Sequence, residues 1–257
     1  MVKQYKGYLI DLDGTMYRGK ERIEAASDFV KALQEKRLPY LFVTNNSSKM
    51  PSQVAEKLEE FDIPVSEDQV FTTSLATANY IFEQQPNASI YMIGGDGIRH
   101  ALMERGLQLV DENPDFVVVG LDQSITYEKL AKACLAVRSG ATFISTNGDI
   151  AIPTERGLLP GNGSLTSVIT VSTTVNPLFI GKPEKIIMEQ ALKVLGTPIE
   201  DTLMVGDNYD TDILAGMNTG LDTLLVHTGV TTKEHLVNYN RKPTYVIDSL
   251  QEWIDKL

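Results

Sequence analysis

Tyr8-Leu9-Ile10-Asp11-Leu12-Asp13-Gly14-Thr15 is the stretch that decides the fold. Three apolar residues lead into two carboxylates placed two positions apart. Positions i and i+2 share a face of a strand, but here the chain is leaving the strand. Gly14 allows the turn, because it has no Cβ and accepts positive φ. A short apolar strand therefore holds Asp11 and Asp13 at its carboxyl mouth, where ligands bind in open α/β sheets. Two adjacent buried carboxylates repel, so a hard cation with oxygen ligands or a shared proton has to relieve them.

Outward from this strand the pattern repeats. A helix is expected over 21–37, with Ala25, Phe29, Val30 and Leu33 on one face. A strand over 40–43 ends in Thr44-Asn45-Asn46-Ser47-Ser48. Pro51 suits the first turn of the next helix. Ser66 and Gln69 fit a capping box, 70–72 reads as a strand, and Ser74 as the cap of a helix running to Gln84. From about Asn87 strands are expected over 90–93, 116–119 and 142–145, with helices reaching Arg105 and spanning 127–138. The stretch 146–163, with four glycines and two prolines, reads as loop, and a helix over 165–171 follows. Strands over 177–180, 202–205, 224–227 and 245–247, helices over 184–195 and a last helix to Lys256 complete the chain. The strands are continuous apolar runs alternating with helices, so the expected fold is α/β, a parallel sheet with helices on both faces.

Composition narrows the function. The 257 residues suffice for one large domain or two ordinary ones. A net charge of −11 repels polyphosphate backbones and anionic membranes, so neither nucleic acid nor a membrane is an expected partner. The lead-in from Met1 to Lys6 has no apolar signal-peptide region, and no apolar run approaches the length of a membrane span. The single cysteine, Cys134, allows no internal disulfide. A soluble cytoplasmic protein is expected.

Four strands end in polar clusters: Asp11 with Asp13, Thr44 with Asn45 and Asn46, Lys182, and Asp207 with Asp212. Each alone is an ordinary loop. In chain order, each after an apolar strand, they assemble carboxylates, one ammonium and hydroxyl and amide donors on one edge. That inventory suits phosphoryl transfer. Carboxylates hold Mg2+, while Lys, backbone N–H groups and the Thr44 hydroxyl hold phosphoryl oxygens. One carboxylate can attack phosphorus, and a second can protonate the leaving oxygen and then activate water.

On these motifs the chain resembles the haloacid dehalogenase-like phosphatases, and within them the NagD-like class with a large cap inserted between the second and third motifs. Asp11-Leu12-Asp13-Gly14-Thr15 resembles the first motif, Thr44-Asn45-Asn46 the second, Gly181-Lys182-Pro183 the third, and Gly206-Asp207 through Asp212 the fourth. The resemblance implies a Rossmann-like core over 1–78 and 177–257 with an inserted α/β cap over 79–176. It implies Asp11 as nucleophile and Asp13 as acid/base. Gly14, Thr44, Asn45, Asn46 and Lys182 would bind phosphate. Magnesium would be held by Asp11, the backbone carbonyl of Asp13, Asp207 and, through water or from behind, Asp212.

Other motifs fail. Cys134 stands four positions before Arg138, too close for a cysteine-phosphatase loop, and is expected as a buried helix residue. Gly94-Gly95-Asp96-Gly97 lacks dinucleotide-site spacing, and Pro183 stands where a P-loop needs a hydroxyl. His100, His227 and His235 are scattered. The expected activity is Mg2+-dependent hydrolysis of a small phosphorylated metabolite, a sugar phosphate or phosphorylated sugar acid. Arg156, the one cation in the 147–163 loop, is the candidate clamp for a substrate carboxylate. A phosphotransferase or mutase with the same chemistry and a non-catalytic phosphometabolite sensor are the rivals, and the sequence leaves a homodimer open.

Overall fold

A computed structural model describes residues 3–257; Met1 and Val2, the start of the expected lead-in and of the first core segment, lie outside the described residues. In chain order the elements begin with Gly7–Ile10 (β1), a ribbon of Tyr17–Arg18 (β2) and Glu21–Arg22 (β3), Glu24–Glu35 (α1) and Tyr40–Thr44 (β4). Pro51–Glu60 (α2), Val70–Thr72 (β5), Thr73–Gln84 (α3), Ser89–Ile93 (β6), Asp96–Glu104 (α4) and Gln108–Leu109 (β7) follow. Next come Phe116–Val119 (β8), Tyr127–Arg138 (α5), Thr142–Ser145 (β9), Ala151–Thr154 (β10), Gly157–Pro160 (β11), Asn162–Thr173 (α6) and Leu178–Phe179 (β12). The chain closes with Lys185–Leu195 (α7), Thr202–Gly206 (β13), Leu214–Thr219 (α8), Asp222–Val226 (β14), Lys233–Val237 (α9), Tyr245–Ile247 (β15) and Gln251–Ile254 (α10).

Two compact units result. The first comprises the chain up to Thr44, Pro51–Phe71 and Lys182–Leu257; the second comprises Asn45–Met50 and Thr72–Gly181. The first is built on a six-stranded sheet of order β15-β14-β13-β1-β4-β5. β1 lies at its centre, parallel to β13 on one side and β4 on the other. Tyr8, Ile10, Phe42, Leu203, Val205, Leu224 and Val226 from the strands pack with Phe29, Val30 and Leu33 of α1 and Trp253 of α10. Each such fully buried side chain contributes about 1.5–3 kcal/mol. Both faces of these strands are covered, which is why they read as unbroken apolar runs.

The second unit has its own parallel sheet, order β12-β9-β8-β6-β7. Tyr91, Ile93, Val117, Val119 and Phe143 pack there with Ala133, Val137 and Ile169 of α5 and α6. The dividing points fall at 72 and 181, against the expected 79 and 176, because all of α3 packs on α4 of this unit.

Several local expectations need correction. The helix expected from Glu21 begins at Glu24, because Glu21 and Arg22 pair antiparallel with Arg18 and Tyr17 and Ile23 is extended. Thr72, not Ser74, caps α3: its side chain accepts from Leu75 N, while Ser74 donates to Ser47 O. The loop expected over 146–163 contains a β-hairpin, with Ala151 opposite Pro160 and Thr154 opposite Gly157. Among the described residues its two strands pair with nothing else, so Pro153 and Pro160 cost no wider ladder its hydrogen bonds. The strand before Lys182 belongs to the second unit's sheet, where Leu178 pairs with Ile144, so only three of the four polar mouths end strands of the core sheet. Cys134 is half-buried on α5.

Candidate active site

Register brings the acids together. Ile10 pairs with Val205 across β1 and β13, and Asp11 N donates to Val205 O at 2.9 Å. Asp11 and Asp207 therefore leave neighbouring strands side by side. Asp212 returns to the same mouth through a wide π-type turn over Tyr209–Ile213, in which Ile213 N reaches back to Asn208 O and Asn208 N donates to Asp212 Oδ2 at 3.0 Å. A Cβ on Gly206 would stand 2.3 Å from Asp212 Cβ, so only glycine lets the turn close. The carboxylates of Asp11, Asp207 and Asp212 offer oxygens within 4.8 Å of one another, and all three residues are buried.

Lys182 is placed among them, 2% exposed, with Nζ 2.5 Å from Asp11 Oδ1, 2.7 Å from Asp212 Oδ1 and 2.9 Å from Val43 O. Thr15, fully buried, donates to Asp11 Oδ2 at 3.3 Å or Asp207 Oδ1 at 3.1 Å. The balance is still negative. Burial and the charge of Asp212 raise the Asp11 pKa well above the usual carboxylate range, against the pull of Lys182. Burial and Asp212 push Asp207 up to about 6, against hydrogen bonds from Val230 N and Thr15. Burial alone would lower the Lys182 pKa, but Asp11 and Asp212 outweigh it and hold the ammonium charged.

Three buried carboxylates against one ammonium leave a formal charge of −2. The donor set is all oxygen, with no sulfur or imidazole, which fits a hard divalent cation such as Mg2+. Asp11, Asp207 and Asp212 are the residues that could hold it.

The other expected residues divide. Asp13 is exposed and outside the carboxylate cluster; its Oδ1 accepts from Gly19 N at 3.3 Å, and its backbone bridges Tyr17. Gly14 takes φ +97°, and a Cβ there would lie 2.4 Å from Asp207 Oδ2. Thr44 ends β4 on the side of β1 opposite β13. Asn45 and Asn46 belong to the second unit. There Asn45 O accepts from Asn147 Nδ2 at 2.7 Å and Thr73 Oγ1 at 3.0 Å, and Asn45 Nδ2 donates to Asp149 Oδ1 at 3.2 Å. Asn46 Oδ1 accepts from Ser48 N and Lys49 N, closing its own turn. Arg156 sits exposed in the tight turn of the β10–β11 hairpin, where its N–H donates to Thr154 Oγ1.

Sequence reasoning missed the loop after β14. Val230 N donates to Asp207 Oδ2 at 2.7 Å and Thr231 N to Asp207 O at 3.1 Å. The small polar run Thr228-Gly229-Val230-Thr231 at a strand mouth was the available signal.

Known proteins resemble this chain over nearly its whole length. A haloacid dehalogenase-like hydrolase profile matches residues 8–108, and a HAD-hydrolase-like profile matches 179–253. The 5'-nucleotidase YutF of Bacillus subtilis is 68% identical over 98% of this chain and 99% of its own. An acid sugar phosphatase of Staphylococcus aureus is 57% identical over 100% and 99%. The solved p-nitrophenyl phosphatase of Archaeoglobus fulgidus is 35% identical and superposes with a TM-score of 0.94, covering 99% of this chain and 100% of that one. Among the described residues no helix is long and apolar enough to cross a membrane. The chain belongs to the haloacid dehalogenase-like hydrolases, as a phosphatase of their NagD-like class.

Proposed function

We propose that the protein hydrolyses a small phosphorylated metabolite with Mg2+, through an aspartyl-phosphate on Asp11, in the cytoplasm. The observation that carries the reading is the buried Asp11–Asp207–Asp212 cluster closed by Lys182. Asp11 is the nucleophile: Lys182 keeps one carboxylate oxygen hydrogen-bonded and Thr15 steadies the other. Lys182, Thr44, Gly14, Asn45 and Asn46 supply cation, hydroxyl and amide groups to the phosphoryl oxygens. Asp13 protonates the leaving oxygen in the first step. In the second it takes a proton from the water that cleaves the acyl-phosphate, so the same carboxyl returns to its starting state. Mg2+, held by Asp11, Asp207 and the backbone carbonyl of Asp13, with Asp212 acting through water or from behind, would neutralise charge on the phosphoryl group.

Metal removal tests the assignment. EDTA is expected to abolish phosphate release, Mg2+ to restore it, and Ca2+ to restore it poorly, because Ca2+ prefers more ligands and looser geometry. Full activity in EDTA overturns the site.

For substrate we propose a phosphorylated sugar acid, in line with the acid sugar phosphatase of Staphylococcus aureus. Arg156 is the proposed clamp, presented at the hairpin turn. Arg156→Ala is expected to raise KM for acidic phosphosugars about tenfold or more, the worth of one charged hydrogen bond at roughly 1.5–3 kcal/mol, and to leave neutral ones alone. Equal effects on both remove the clamp. The 68% identity to a 5'-nucleotidase favours a second reading, nucleoside 5'-monophosphates. Comparing kcat/KM for both classes on the unmodified protein decides between them.

A further inference from the structure

The loop that follows β14, whose Val230 and Thr231 bond Asp207, is tied to two of the acid-bearing turns. Thr228 Oγ1 donates to Gly14 O at 2.7 Å, in the turn that follows Asp11. Arg18, on the ribbon after that turn, donates through Nε to Thr228 O. Two residues on, Val230 N donates to Asp207 Oδ2 at 2.7 Å, a short charge-assisted bond that leaves one orientation for the carboxylate. Thr231 N donates to Asp207 O, and Thr231 Oγ1 accepts from Tyr209 N at 2.8 Å, at the start of the turn that carries Asp212.

Gly229 lies between these tethers. A Cβ there would stand 1.9 Å from Asp207 Oδ2 and 2.8 Å from Gly14 Cα. Gly14 presses from the other side, since its own Cβ would lie within 2.6 Å of all three Asp207 carboxylate atoms. The Asp207 carboxylate is thus held between two glycine backbones. Any side chain at either place would drive it out of its position.

We infer that Thr228, Gly229 and the Val230 N–H are positioning groups for the proposed metal carboxylate: the loop sets the direction in which Asp207 presents its oxygens, and through Thr228 holds that direction in register with the Asp11 turn. The inference rests on the reading of Asp207 as a metal ligand. Partners of ligating carboxylates usually govern metal affinity by about 10–100-fold.

The test uses the full chain, freed of metal with EDTA, and calorimetric titration with Mg2+ alone, so that binding is read without turnover. Thr228→Val removes the hydroxyl at nearly constant shape and is expected to weaken Mg2+ binding about tenfold. Thr228→Ser keeps the hydroxyl and is expected to bind as the parent does. Gly229→Ala is expected to weaken binding by about a hundredfold. Should Gly229→Ala fail to fold, the Thr228 pair still decides. Asp207→Asn is the reference. If it loses Mg2+ binding while Thr228→Val and Gly229→Ala keep it, the loop inference is wrong and the metal reading stands. Equal losses in Thr228→Ser and Thr228→Val also overturn it, because the tether is the hydroxyl. If Asp207→Asn binds Mg2+ as the parent does, the metal reading itself falls.

Discussion

A burst of nitrophenol approaching one equivalent per enzyme, then very slow release, is the expected trace for Asp13→Asn on nitrophenyl phosphate. Nitrophenolate departs readily without a proton, so Asp11 can still be phosphorylated. Water attack on the acyl-phosphate has no such relief, because it needs a base, the role proposed for Asp13. General acid–base help is typically worth ~10²–10⁴-fold, and turnover should fall by that factor on every substrate. A sugar phosphate, whose alkoxide needs the proton, should give no burst. Asp11→Asn should give neither burst nor turnover. The exposure of Asp13 fits this division, since its carboxyl stands clear of the buried acids and remains open to solvent. Wild-type turnover of a sugar phosphate by Asp13→Asn removes it as the acid/base.

Lys182→Met is expected to be the most destabilising single change at the site. The ammonium is 2% exposed and shared by Asp11 and Asp212. Removing one partner of a buried charge pair costs about 3–5 kcal/mol, because the remaining carboxylates stay buried without a counter-charge. The sign with pH follows. A carboxyl whose folded pKa is raised above its unfolded value of about 3.9 costs stability in full above the folded value, and nothing below the unfolded one. Asp11 is already raised by burial and Asp212, and loss of Lys182 raises it further. The variant's deficit in urea unfolding, measured metal-free, should therefore be largest near neutral pH and shrink as pH falls. A deficit that stays constant with pH would mean that Lys182 stabilises the fold by packing alone. Phosphate release should fall as well, since Asp11 would lose the ammonium that pairs with its carboxylate.

The central strands were legible because burial on both faces leaves an unmistakable apolar run, as in 116–119, which matches β8 residue for residue. The four polar mouths were legible because small and charged residues interrupt those runs. What escaped the sequence depends on pairing. Nothing in Pro177-Leu178-Phe179-Ile180 says that this strand joins β9 and not β13; that choice is made by the sheet it meets. The β10–β11 hairpin hid behind its prolines, which an isolated two-stranded ribbon tolerates and a wider sheet does not. The clamp on Asp207 escaped because its strongest bond comes from the backbone N–H of Val230, and every residue except proline has one. Thr15 was quoted within the first motif, but its contact with both Asp11 and Asp207 depends on how closely β1 and β13 end.

The proposed mechanism passes phosphate through a covalent bond to Asp11. Acid-quenching Asp13→Asn after incubation with 32P-labelled nitrophenyl phosphate, followed by peptide mapping, tests it most directly. About one label per chain is expected on the peptide that contains Asp11, labile to hydroxylamine as an acyl-phosphate is, and absent when Asp11→Asn is added to the same chain. Label on any other residue, or a nitrophenol burst with no label on the protein, would contradict it.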